Sequence, residues 1–219
     1  MTTWYLNSDQ SDGQPVFTRY PEPRAWAEGV GLYECLGFED AVLRRAIAVH
    51  EAGHAVLCMA FGIPVVEICV REDLGKTSGE GGAAWVRTGD YWDVSYMRYA
   101  AMCAAGERAQ DRWMRETGLW TPQRAWAVER TAGSDRDVLA QALRTVCGTE
   151  LRFGASRPGV QYGTVQAVAD SALSHLWDRL LCLAEALDDR GHLSGHAAAR
   201  DAGLSYVAVP CEESEGVAA

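Results

Sequence analysis

Residues 40–61 read DAVLRRAIAVHEAGHAVLCMAF, and Gly62, Ile63 and Pro64 follow. The composition suits a helix, Asp40 suits its N-cap, and a glycine with a proline just beyond is a common helix end. A helix over 40–61 is therefore predicted. His50 and His54 stand at i and i+4, one turn apart on one face, with Glu51 beside them. The flanks Ala46 to Val49 and Ala55 to Leu57 are small or apolar, as expected of a buried helix. Gly53 in its interior costs about 1 kcal/mol relative to alanine, which points to tight packing or function.

Two imidazoles so placed can reach one metal ion. A catalytic zinc takes three protein ligands and keeps an open position for water, and a nearby carboxylate takes that water's proton and later passes it to a leaving amine. The HExxH spacing thus predicts Zn2+ on His50 and His54, with Glu51 as general base. The third ligand is not given by the motif. HExxHxxGxxH would supply a third histidine nearby, but His54 is followed by Ala-Val-Leu-Cys-Met-Ala. The carboxylate candidates are Asp137 and Asp135 in GSDRD at 133–137, and Asp111 and Glu107 in GERAQD at 106–111. Spacing does not choose among them.

Around this helix the chain reads as mainly α with a small antiparallel β-sheet. Val65 to Val70 is apolar and β-branched around Glu67, and Gly82 to Arg87 offers a second run across a Gly-rich turn. Val65 to Val70 is read either as plain core or as an edge strand that pairs with an extended substrate beside the metal. Trp92 to Arg115, Ser134 to Cys147 and Thr164 to Asp189 read as helices, with Thr164 as an N-cap, and Ser194 caps one more short helix. Residues 1–36, rich in Pro, Gly and polar residues, are taken as an N-terminal extension, 37–205 as the domain, and 206–219 as an acidic tail.

Composition bounds the partners. At 219 residues with 48% hydrophobic and 23% charged residues, the chain is that of a globular domain. A net charge of −10 without a basic block disfavours nucleic acid and anionic membranes. The most apolar stretch, 46–70, is interrupted by His50, Glu51, His54, Pro64 and Glu67, so no membrane span is expected. The opening lacks the features of a secretory signal, which predicts a cytoplasmic location. The seven cysteines are scattered and never form CxxC, so neither a disulfide framework nor a cysteine zinc site is expected. Cys58, His175, His192 and His196 are read as packing or surface residues rather than ligands.

RRAIAVHEAGHAVL at 44–57 resembles the active-site helix of the zinc peptidase domain of FtsH-type membrane AAA proteases. AAGERAQD at 104–111, GSDRD at 133–137 and LLCLAEALDDRGHLSG at 180–195 are similar to three further landmarks of that family, in order, so the likeness covers about 40–203. It implies a zincin-like metallopeptidase domain in which His50, His54 and Asp137 bind zinc, Glu51 is the base, and Asp111 orients a histidine or serves as the alternative ligand. Asp135 is then expected to flank the helix start, where an acidic residue is stabilising.

The likeness has two departures. No membrane anchor or ATPase module is read in the chain, and Gly75-Lys76-Thr77 only imitates a phosphate loop, because Val70 stands where GxxxxGK[ST] needs glycine. The Trp-rich stretch 112–131 matches nothing in the family. The expectation is an ATP-independent zinc metalloendopeptidase acting on flexible or unfolded protein or peptide, with a separate ATPase or adaptor and homo-oligomerisation left open. Two rivals stand beside it: a catalytically silent interaction protein on a zincin scaffold, and a zinc amidohydrolase for a small peptide-like metabolite.

Overall fold

The computed structural model describes residues 3–7, 16–73, 84–89, 93–154 and 158–208; the expected phosphate-loop mimic at 75–77 and nearly all of the expected acidic tail lie outside them. In chain order the elements are β1 (Tyr5–Asn7), β2 (Val16–Thr18), α1 (Arg24–Ala27), α2 (Leu32–Leu36), α3 (Asp40–Phe61), β3 (Val65–Val70), β4 (Ala84–Thr88) and α4 (Tyr96–Glu116). They continue with α5 (Pro122–Thr131), α6 (Gly133–Cys147), β5 (Leu151–Arg152), β6 (Val160–Gln161), α7 (Tyr162–Arg190), β7 (His192–Ser194) and α8 (Gly195–Ala202). The protein is mainly helical with a small antiparallel sheet.

α3 has the predicted bounds and is buried along almost its whole length from Ala46 to Met59. Gly62 adopts the left-handed conformation (φ 80°) and donates its N–H back into the last turn, which satisfies carbonyls the helix would otherwise strand. The N-cap is Glu39, not Asp40; Asp40 sits in the first turn, where its charge complements the helix dipole. α4 and α7 pack against α3 and against each other. The α4 face that meets α3 includes Ala105, Gly106 and Ala109, and Gly53 answers it: a Cβ there would lie 2.8 Å from Ala105 O and 2.9 Å from Ala109 Cβ. The helix-propensity cost of Gly53 therefore serves close approach of two backbones.

The sheet runs in the order β4-β3-β7, all neighbours antiparallel. This corrects the reading of Val65 to Val70 as an edge: β3 is central, with Ile68 opposite Val86 on one side and Leu193 on the other, and among the described residues β4 and β7 are the edges. β7 was not expected, since three residues carry too little pattern to announce a strand. α7 begins at Tyr162, so Thr164 lies inside it rather than capping it. Ser194 does cap α8, accepting from the Ala197 N–H at 3.3 Å.

The N-terminal segment is docked on the body. β1 and β2 form an antiparallel pair. Asn7 donates to Thr18 Oγ1 (2.7 Å) and accepts from Trp126 Nε1 (3.1 Å), and Arg19 pairs with the buried Glu129. Cys35 and Leu36 belong to the core, and Arg124 donates to Leu36 O at 2.8 Å. α5, which closes the Trp-rich stretch 112–131, is thus the platform on which the N-terminal segment rests. The six described cysteines are free of disulfides, and no described helix is long and apolar enough to cross a membrane.

Candidate metal centre

The helical i, i+4 spacing sets His50 Nε2 and His54 Nε2 3.1 Å apart. α4 passes directly over them because residue 106 is glycine; a Cβ at Gly106 would overlap Nε2 of both rings. The third group comes from the first turn of α6: Asp135 Oδ2 lies 3.3 Å from His50 Nε2 and 3.4 Å from His54 Nε2. Among the described residues, His50, His54 and Asp135 form the cluster suited to a metal ion.

The donor set fits zinc. Ligand atoms at about 2.0–2.1 Å from a tetrahedral ion stand roughly 3.3–3.4 Å from one another, and the three atoms here are 3.1, 3.3 and 3.4 Å apart. The outward nitrogens are already committed: His54 Nδ1 donates to Met102 O at 2.8 Å, and His50 Nδ1 faces Gln110 Oε1 at 3.3 Å. With both rings neutral in those tautomers, two Nε2 lone pairs and a carboxylate oxygen converge without a proton between them, an arrangement that calls for a cation.

In the metal-free protein a proton takes that role. Burial lowers the His54 pKa, but the charge and hydrogen bond of Asp135, with Glu51 and the Met102 carbonyl, raise it to about 9. Burial opposes ionisation of Asp135, yet the two histidines hold its carboxyl far below the usual range. Glu51 lies beside them, 8% exposed, and burial raises its carboxyl above the ordinary glutamate value although both histidines pull the other way. A carboxylate shifted upward is a stronger proton acceptor than an ordinary glutamate.

His50, Glu51, His54 and Asp135 line one cavity of about 480 Å³. Its rim includes Trp85 and Val86 of the edge strand β4 and Tyr99 of α4.

The structure brings together His50, Glu51 and His54 as the motif predicts, but with Asp135 rather than Asp137. Asp137 is exposed and outside the cluster. Two positions along a helix turn a side chain by about 200°, so the face of α6 that carries Asp135 to the histidines carries Asp137 away. Asp111 is also displaced from its expected role. It accepts from Arg115 Nε (3.1 Å) and Trp120 Nε1 (2.9 Å), and its neighbour Gln110 is the residue that meets His50. Glu107 is engaged by Arg136 and Gln166 and does not face the site. Gln110, Gly106 and the Met102 carbonyl were missed by the sequence reading; the small-residue run before Glu107 was the available signal for a helix passing close to the motif.

His192 lies at the surface with Nε2 3.2 Å from Glu67 Oε2, and His196 packs its ring near Tyr206, so among the described residues neither joins a metal cluster. No protein-family model matches the chain, and no curated protein matches it.

Proposed function

We propose that the chain is a zinc-dependent metallopeptidase that hydrolyses peptide bonds of flexible or unfolded polypeptide, with His50, His54 and Asp135 as metal ligands and Glu51 as general base. The observation that carries this reading is the spacing of the three ligand atoms, 3.1–3.4 Å, with the Glu51 carboxylate in the same cavity. A bound zinc ion would supply Lewis acidity toward the scissile carbonyl and toward water.

The protein's own groups do the rest. Glu51 accepts a proton from the attacking water as the carbon–oxygen bond forms, and it delivers that proton to the amide nitrogen as the carbon–nitrogen bond breaks. Gln110 and Met102 O hold the imidazoles in the tautomer that keeps Nε2 free. The cavity is bordered by an edge strand whose outer backbone groups can pair with an extended chain. A separate ATPase or adaptor that delivers folded substrates fits this reading and is not required by it.

The test compares purified wild type with Glu51→Gln for bound zinc and for degradation of an unfolded protein without ATP. The variant is expected to keep its zinc and lose about 10²–10⁴-fold in rate. A variant as active as wild type removes Glu51 from the chemistry. Zinc-loaded wild type that cleaves neither protein nor peptide hands the lead to the interaction-protein reading.

A further inference from the structure

The face of α6 that presents Asp135 continues beyond it as an apolar stripe. Val138, Ala142 and Val146 follow Asp135 at i+3, i+7 and i+11, the spacing of a single helix face. Val138 is 51% and Val146 74% exposed, and Tyr96 at the start of α4, 51% exposed, stands across from them. Between α4 and α6 these side chains line a second cavity of about 580 Å³, and among the described residues no charged side chain lines it. In a chain of net charge −10 an uncharged, exposed trough is a feature to explain. Tyr99 and Val138 line both this cavity and the one holding His50, Glu51 and His54, so the two lie side by side along α6.

We infer that this trough is the extended subsite for the substrate, and that it takes an apolar stretch of polypeptide lying on one side of the scissile bond. This deepens the metallopeptidase reading and rests on it. The dimensions decide between substrate classes. Eleven helical positions from Asp135 to Val146 span about 16 Å, which an extended chain covers in about five residues. A small amide metabolite would fill the first cavity and leave the second without a role, whereas a polypeptide whose reactive carbonyl sits at the histidines must lay its neighbouring residues somewhere. The trough is the apolar cavity beside that site, sharing Tyr99 and Val138 with it. Apolar side chains gain by leaving water there, and charged ones would lose hydration without a partner.

The experiment uses the full chain loaded with zinc. Two fluorescein-labelled peptides of equal length are compared, one carrying leucine and valine over the five residues on either side of the cleaved bond, the other serine at the same positions. Cleavage is followed in wild type and Val146→Asp, and binding by fluorescence anisotropy in the same two backgrounds with Glu51→Gln added. Val146 is mostly exposed, so the aspartate is not asked to fit a packed core.

The expected result is a preference of about tenfold or more for the apolar peptide in wild type, the usual worth of an apolar subsite contact, falling toward one in Val146→Asp, in both cleavage and binding. Equal handling of both peptides by wild type overturns the inference. So does an unchanged preference in Val146→Asp, or a Val146→Asp effect that appears only as a changed oligomeric state in size-exclusion chromatography, which would make the trough a contact between copies. If wild type cleaves neither peptide, the metallopeptidase reading falls, and the anisotropy comparison still decides the trough.

Discussion

Arg136 places Nη2 2.5 Å from Glu107 Oε2, and the two side chains are 6% and 1% exposed. The pair is fully engaged: Arg136 Nη1 donates to Phe17 O at 2.6 Å, Gln166 donates to Glu107 Oε1 at 2.6 Å, and the guanidinium stands 4.8 Å from the centre of the Tyr162 ring. Burial disfavours both charges, but Arg136 holds the Glu107 carboxyl below its ordinary range, and Glu107 in turn raises the Arg136 pKa. α4, α6, α7 and the N-terminal strand β2 are thus joined at one buried charge pair, one residue from Asp135.

Neutralising Glu107 leaves the buried Arg136 with only the more distant Glu129 carboxylate, 3.8 Å away, as a counter-charge. Glu107→Gln offers one acceptor where two are used and turns an amide N–H toward either Arg136 or Gln166. The expected loss is about 3–5 kcal/mol of folding stability, read from chemical denaturation of the metal-free protein. A loss below about 1 kcal/mol would mean that water reaches the pair and that it does not anchor the N-terminal segment.

The two neighbouring aspartates of α6 give a sharper test of the site. Asp135→Asn removes a charged ligand atom 3.3–3.4 Å from both imidazoles and is expected to abolish stoichiometric zinc. Asp137→Asn alters an exposed side chain and is expected to keep it. Asp111→Asn weakens the contacts to Arg115 and Trp120 and should lower stability while zinc is retained. Metal content by elemental analysis separates the three. Loss of zinc in Asp137→Asn alone would mean that α6 is rotated from the orientation described.

That pair of aspartates also shows where sequence reading ends. The bounds of α3 follow from local signals, because its apolar run and the Gly62 terminus lie within one segment. The choice between Asp135 and Asp137 does not, because it depends on the residue at which α6 begins and on how α5 sets it against α3, both tertiary facts. A start two residues later would exchange the two side chains' directions. Asp111 fails for a related reason: adjacent helix residues point about 100° apart, and α4 turns Gln110, not Asp111, to the histidines. β7 is illegible because its partner is β3, with Glu67 and His192 125 positions apart, and only Leu193 of its three residues is apolar and buried.

The two close-approach glycines should fail differently. At Gly53 an added methyl meets Ala105 O at 2.8 Å, so α3 and α4 must separate. Overpacking of this kind costs about 1–3 kcal/mol, partly offset by the better helix propensity of alanine. At Gly106 the methyl enters the space of both Nε2 atoms, so Gly106→Ala is expected to lose at least about tenfold in zinc affinity, the low end of what disturbing a ligand's support costs. Zinc competition with a chelator and thermal denaturation of the metal-free variants distinguish them. Equal zinc affinity in wild type and Gly106→Ala would remove the rings' Nε2 edge from the metal site.

The proton on His54 makes the metal-free protein and the metal affinity depend on pH in opposite senses. His54 titrates at about 9 in the folded chain, above its ordinary value of 6.5. Its pairing with Asp135 therefore contributes stability that is complete below pH 6.5 and is lost as pH rises through about 9. The melting temperature of the metal-free protein should fall across that window. Zinc must displace the same proton from Nε2, so its affinity should rise across the window by close to tenfold per pH unit, the slope for one proton released. Asp135, held low, is ionised throughout. Chelator competition between pH 6 and 9 measures the slope, and His54→Ala in the metal-free protein should flatten the thermal curve. An affinity that does not change over this range would mean that His54 is not the residue the metal displaces a proton from.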